Sequence, residues 1–197
     1  LVLRAERPPQ SVFIQVGENP ASTTYVNTKH KMAQRIGCIS TIDRQPETIP
    51  QHELLEVIGR YNADRDVHGI LVQLPLPEQI DEGAIVEAID PAKDVDGLHP
   101  ENVGRLWRGE EGLVPCTPLG IMALLETHEI PVEGRRSVVV GRSDIVGKPV
   151  AALLLRRHAT VTLAQQDVNF VLIPEIPVDL EGPEGLFTKI EARLKDR

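Results

Sequence analysis

Four short stretches hold residues whose types and spacing can do chemistry. The first is Tyr25-Val-Asn-Thr-Lys29. On a helix, an i, i+4 spacing puts the phenol and the amine on one face. A lysine held against an apolar helix loses water, which favours its neutral form. A neutral amine near pH 7 can take and return a proton. The second is Gln73, at the end of the apolar run His68-Gly-Ile-Leu-Val72 and just before Leu74-Pro-Leu-Pro77. The third is Lys93-Asp94-Val95-Asp96-Gly97, two carboxylates two residues apart. They suit a cation or the N–H groups of a nitrogen-rich ring, but the spacing of a twelve-residue calcium loop is absent. The fourth is Val140-Gly-Arg-Ser-Asp-Ile-Val-Gly-Lys-Pro149, where glycines let backbone N–H groups approach a phosphate at a helix start. Neither G-x-G-x-x-G nor the P-loop pattern is met. An arginine at position 142 is suited to an additional phosphate.

Each stretch also has a plainer reading. These are a lysine stem covering a tyrosine, a polar strand terminus, a turn with solvated acids, and an ordinary strand-to-helix turn.

The surrounding pattern supplies elements that would position them. Residues 11–17 (SVFIQVG), 38–43 and 68–74 read as short strands. Residues 23–36 read as a helix with Ser22 as N-cap and Gly37 as its stop. Residues 51–63 read as an amphipathic helix burying Leu54, Leu55, Val57 and Ile58. Residues 82–89 make a short helix, and residues 90–105 read as an ordered loop. Thr117 caps a helix over 117–128 that has Pro118 in its first turn. A strand at 137–141, a helix at 146–157 and a strand at 160–164 follow. Strands alternating with helices predict right-handed βαβ units and parallel sheets. The expected class is α/β. An N-terminal three-layer αβα domain (1–116) precedes an incomplete Rossmann-like domain (117–164) and a divergent strand-helix tail (165–197).

Composition excludes several functions. The 197 residues are 41% hydrophobic and 25% charged, which suits a folded chain. With 21 Lys and Arg against 29 Asp and Glu the net charge is −8, the wrong sign for a general nucleic-acid binder. Aromatics at 3% argue against base-stacking platforms. No apolar run reaches the roughly 18 residues of a membrane span. Cys38 and Cys116 are far apart and outside any zinc-type cluster, as expected of reduced thiols in a cytoplasmic protein.

Taken together and in order, five segments resemble the bifunctional methylenetetrahydrofolate dehydrogenase/methenyltetrahydrofolate cyclohydrolase family. They are VGENPASTTYVNTKHKMAQRIG, HGILVQLPLP, PAKDVDGLHPENVGRL, PCTPLGIMALL and VVVGRSDIVGKPVAALLLRRHATVTLA. The resemblance runs from about Leu3 to Ala164. It implies that Lys29 is catalytic, that Tyr25 packs on the aminobenzoyl ring, and that Gln73 bonds and tunes the lysine. It implies that Asp96 anchors the pterin. It further implies that Arg142 and Ser143 surround the 2′-phosphate of NADP, with Gly141 and the Gly147 helix start on the pyrophosphate side. The implied reaction is hydride transfer from 5,10-methylenetetrahydrofolate to NADP, then hydrolysis of the methenyl product to 10-formyltetrahydrofolate. No metal is implied. The partners are tetrahydrofolate derivatives and a second copy of the chain, in cytoplasmic one-carbon metabolism that feeds purine biosynthesis.

The pattern then breaks. Where the family shows His-Ser-Arg/Lys-Thr, this chain has Gln165, Gln166 and Asp167. The later glycine-rich segment and the returning helix are not found. Residues 167–197 instead resemble a phosphofructokinase segment, in which Glu175 matches a sugar-contacting glutamate. A strand over 170–173 and a helix over 186–195 are expected there. The break predicts that pterin-site chemistry survives better than hydride transfer. A non-catalytic folate-binding chimera and a sugar-phosphate-binding chimera are the alternatives.

Overall fold

The computed structural model describes residues 7–165 and the backbone of strand 172–174. The expected helix over 186–195, Gln166, Asp167 and Glu175 lie outside the described residues.

The first sheet has β1 (Gln10–Val16) between β2 (Ile39–Gln45) and β3 (Gly69–Val72), all parallel. Alternation along β1 divides its side chains between two faces. Val12, Ile14 and Val16 join Leu54, Val57 and Ile58 of α2 (Gln51–Ala63) and Ile85 of α3 (Glu82–Ala88) in one core. Phe13 and Leu71 turn the other way, onto Val26 of α1 (Pro20–Arg35). Helices therefore cover both faces, which is why β3 is apolar on each. Leu55 is only partly buried against the first core.

A second sheet has β4 (Arg136–Val140) paired in parallel with β5 (Thr160–Ala164). Its core joins Val139 to Met122 and Leu125 of α5 (Cys116–Thr127) and to Val150, Ala151 and Leu154 of α6 (Gly147–Arg156). On the other side of β4 lies β6 (Leu172–Pro174), which runs antiparallel, with Val138 opposite Ile173. Of the strand expected over 170–173, residues 172 and 173 fall in β6, and residues 170 and 171 lie outside the described residues.

Several boundaries differ from the sequence-based expectation. α1 starts at Pro20 because Asn19, not Ser22, is its N-cap: Asn19 Oδ1 accepts from Ala21 N and Ser22 N. Ser22 is instead buried inside the first turn. α5 starts at Cys116 behind Pro115, and Thr117 does no capping. The expected loop over 90–105 contains the start of α4 (Pro100–Arg108). His99 Nδ1 caps it by accepting from Glu101 N, Pro100 fills the first helical position, and Gly109 ends it at φ 75°.

Candidate functional site

The strand order β2-β1-β3 places a topological switch between β1 and β3, since the helices that follow them, α1 and α3, pack on opposite faces of the sheet. In open α/β sheets, ligands bind beyond the carboxyl ends of strands at such a point. Gln73 stands there, directly after β3, with its N–H donating to Ile14 O at 2.8 Å. Its Nε2 donates to Leu74 O at 2.7 Å, which turns Oε1 toward the amine of Lys29 at 3.5 Å. Lys29 Nζ also lies 3.9 Å from Asp96 Oδ2. Two residues far from it in sequence thus converge on the Lys29 amine. Tyr25 shares the helix with Lys29 and is 61% exposed, which leaves its ring open to a flat partner.

The carboxyl of Asp96 is pushed above its usual value, chiefly by loss of water; Lys29 opposes the rise and the Asp94 carboxylate adds to it. The Lys29 side chain keeps 39% of its exposure and that of Asp96 32%. The desolvation expected for this lysine is therefore partial. The cluster can accept N–H groups of a heteroaromatic ring at Asp96 and exchange a proton through the Lys29 amine.

Two residues here were not singled out from the sequence. Cys116 is exposed as a residue, yet its thiol is pushed up by partial burial and by Asp96, with Lys29 acting against both. It therefore stands within electrostatic reach of the same pair. The only local signal was its place before Thr117-Pro118, at a helix start. The second is Asn102, on the helix hidden in the expected loop; it bonds Asp94. That bond sets the two aspartates apart. Asp94 is 2% exposed and turned inward, whereas Asp96 faces Lys29. Among the described residues, no group of three or more His, Cys, Asp or Glu is placed to hold a metal.

The turn between β4 and α6 gathers the other predicted residues. Gly141 has φ 112°, and a Cβ on Gly147 would run into its carbonyl oxygen. Only glycines permit this close turn. Ser143 Oγ accepts from Val146 N and Gly147 N, both at 3.2 Å, and Ser143 O accepts from Lys148 N. The serine expected at a phosphate is thus engaged as a cap, and the first donors of α6 are spoken for. Arg142 is exposed and makes no ion pair among the described residues. Lys148 pairs with Asp144 one helical turn back.

A cleft of about 820 Å³ opens elsewhere, lined by Gly17, Glu18, Thr23, Arg44, Gln45 and Glu47. Its arginine is already committed to Gln15 Oε1 and Asn27 Oδ1, so it ties β1, β2 and α1 together. No helix among the described residues is long and apolar enough to cross a membrane.

Comparison with known proteins shows what this chain is similar to. Residues 2–96 match the model of the tetrahydrofolate dehydrogenase/cyclohydrolase catalytic domain, and residues 115–171 match that of its NAD(P)-binding domain. The bifunctional protein FolD of Enterococcus faecalis is 56% identical over 156 residues, covering 79% of this chain and 56% of that protein. The crystal structure of the Campylobacter jejuni bifunctional enzyme FolD superposes with a TM-score of 0.78 at 48% identity, covering 81% of this chain and 57% of that one. The Trypanosoma brucei enzyme, complexed with NADP cofactor and inhibitor, gives 0.77 at 40% identity, over 81% of this chain and 54% of that one. The chain spans a little over half the length of the relatives it matches. Over residues 2–171, the chain belongs to the tetrahydrofolate dehydrogenase/cyclohydrolase family.

Proposed function

We propose that the chain binds tetrahydrofolate derivatives at the Lys29 cluster and hydrolyses 5,10-methenyl- to 10-formyltetrahydrofolate. We propose further that its second sheet serves NADP-dependent oxidation of 5,10-methylenetetrahydrofolate. The observation that carries the reading is the meeting of Lys29, Gln73 and Asp96 beyond the ends of β1 and β3.

In hydrolysis, water adds to the cationic methenyl carbon; the carbon–N5 bond then breaks as the carbonyl forms, and the hydroxyl proton leaves to solvent. Lys29, as the free amine, takes the first proton from the adding water and returns it to N5. The positive substrate beside it disfavours the ammonium form. Gln73 Oε1 holds the amine in place, and Asp96 accepts N–H groups of the pterin. Tyr25 offers its exposed ring to the aminobenzoyl group.

NADP, when bound, accepts the hydride. The turn fits a phosphate in part. Gly141 and Gly147 allow backbone approach, and Arg142 makes no ion pair among the described residues, while Ser143 is held inward as a cap. At the end of β5, neutral Gln165 stands where a second phosphate anchor belongs. This imbalance supports hydrolysis as the more robust of the two activities. A homodimer in the cytoplasm completes the proposal.

The test is a thermal-shift titration with NADP and, separately, with a folate analogue, alongside both turnover assays. A ligand that binds only the folded state raises the melting temperature by mass action. Stabilisation by the analogue with methenyl hydrolysis supports the site reading. Strong NADP-dependent oxidation without hydrolysis overturns the proposed ranking. No shift with either ligand overturns the proposal.

A further inference from the structure

The loop that carries Asp96 is fixed more firmly than a surface turn requires. Asp94, two residues earlier, is 2% exposed, and its Oδ2 accepts from His99 N at 2.8 Å and from Asn102 Nδ2 at 2.9 Å. Asn102, also 2% exposed, donates its other amide hydrogen to Pro91 O at 2.8 Å. The segment 91–102 is thereby closed on itself across the first turn of α4. Lys93 Nζ donates to Tyr61 O, Asn62 O and Asp64 O at the end of α2, between 2.6 and 2.9 Å. The backbone is tied to β3 by Ile70 N donating to Lys93 O at 2.7 Å. On the far side, Gly97 has φ 65°, and a Cβ there would stand 2.9 Å from Leu113 O and Pro115 N. Asp96 is thus suspended between two immobile points.

A buried carboxylate is costly unless compensated. Asp94 has no ion pair among the described residues; two N–H donors and the positive end of α4 compensate it. A leucine would leave His99 N and Asn102 Nδ2 without their acceptor, so the carboxylate is what ties this loop to α4.

We propose that Asp94 is a positioning residue for the reaction: through His99 N and Asn102 it fixes where the Asp96 carboxylate stands opposite Lys29. The inference rests on the folate reading of the site. Asp94 touches none of the proposed substrate. Its charge has a second effect, since Asp96 is faced by Lys29 from α1, by Asp94 from its own loop and by Cys116 from α5. Of these, Asp94 raises the proton affinity of Asp96 and Lys29 lowers it.

The experiment compares the full chain with Asp94→Asn and Asn102→Ala. It reads methenyl hydrolysis per folded molecule, together with a carbon-detected NMR titration of the Asp96 carboxyl. Asp94→Asn keeps the size but removes the charge and one acceptor. It should lower kcat by about 10- to 100-fold, the scale of a small misplacement in a catalytic group. It should also move the Asp96 midpoint to lower pH. Asn102→Ala keeps the charge and loosens the clamp, so kcat should fall while the midpoint moves little. If both variants melt earlier but keep wild-type kcat and the wild-type Asp96 midpoint, Asp94 is only a structural support and the proposal is overturned. The titration needs no turnover. If the wild type does not hydrolyse methenyltetrahydrofolate, the folate reading fails, and an Asp96 midpoint unmoved by Asp94→Asn then also overturns the coupling. Should Asp94→Asn not fold, the kcat and midpoint of Asn102→Ala decide alone.

Discussion

Replacing Lys29 tests the site directly, and its size can be worked from the geometry. Lys29 makes one long hydrogen bond, 3.5 Å to Gln73, and one ion pair, 3.9 Å to Asp96, with about two-fifths of its side chain in water. Such a partly solvated pair contributes about 0–1 kcal/mol to stability. Lys29→Met and Lys29→Arg should therefore fold and melt close to wild type. Their effect on hydrolysis should be far larger. A positioned proton carrier contributes roughly 10²- to 10⁴-fold, or about 2.7–5.4 kcal/mol of barrier. The long resting contact and the partial exposure place this lysine in the lower half of that range, about 10²- to 10³-fold. Lys29→Met also removes the cation that lowers the proton affinity of Asp96, which mixes two effects. Lys29→Arg separates them, since a guanidinium keeps the charge and does not give up its proton at neutral pH. The assay is loss of the methenyl absorbance under initial-rate conditions, with folding checked by circular dichroism. Both variants should lose hydrolysis to a similar extent. Lys29→Arg retaining a third or more of the wild-type rate would refute proton transfer through this amine.

Further predictions follow from particular contacts. Burial raises the Asp96 carboxyl above its ordinary value of 3.8, so its ionised form costs the folded state stability; that cost sets in as pH rises through 3.8 and is complete above the folded-state value. Asp96→Asn should thus melt higher than wild type near pH 7 and level with it near pH 3, while hydrolysis falls; equal melting at both pH values would contradict the burial argument. Tyr61 donates to Asp43 Oδ2 at 2.8 Å, and its phenol is pushed up to about 12 by burial first and then by Asp43. Its contribution is present below the ordinary value of 10.0 and is lost as pH rises through about 12, so Tyr61→Phe should flatten the alkaline fall in melting temperature. Gly147→Ala forces a Cβ into the Gly141 carbonyl and should cost about 1–3 kcal/mol in denaturant unfolding. It should also weaken any NADP-dependent thermal shift, with the folate-analogue shift unchanged. Leu54→Ala, in the first core, should cost about 2–5 kcal/mol by chemical denaturation.

How much was legible in the sequence depends on the range over which each feature is decided. Alternation and apolar period are local properties, so the order of strands and helices from β1 to β5, α4 apart, could be read directly, with α2 and β5 at their observed bounds. Lys29, Gln73 and Asp96 were legible as chemical types on a helix, at a strand end and in a polar loop. Other features needed the folded chain. α4 was concealed because a polar stretch with prolines reads as loop, and its signals, Pro100 and Glu101 behind a capping His99, were outweighed by composition. Two aspartates at 94 and 96 look alike in sequence. Only packing against Asn102 turns one inward and leaves the other at the amine. Cys116 joins the site solely because Gly97 lies against residues 113–115. That the Ser143 hydroxyl accepts from the first N–H groups at the start of α6 is likewise visible only in the folded chain. The sequence by itself determined the alternating elements, because hydrophobic period and turn chemistry act within about one element's length. Tertiary structure alone decided which polar groups face one another. Lys29 and Gln73 are 44 positions apart, and their meeting depends on how α1 crosses the sheet, a matter of long-range packing.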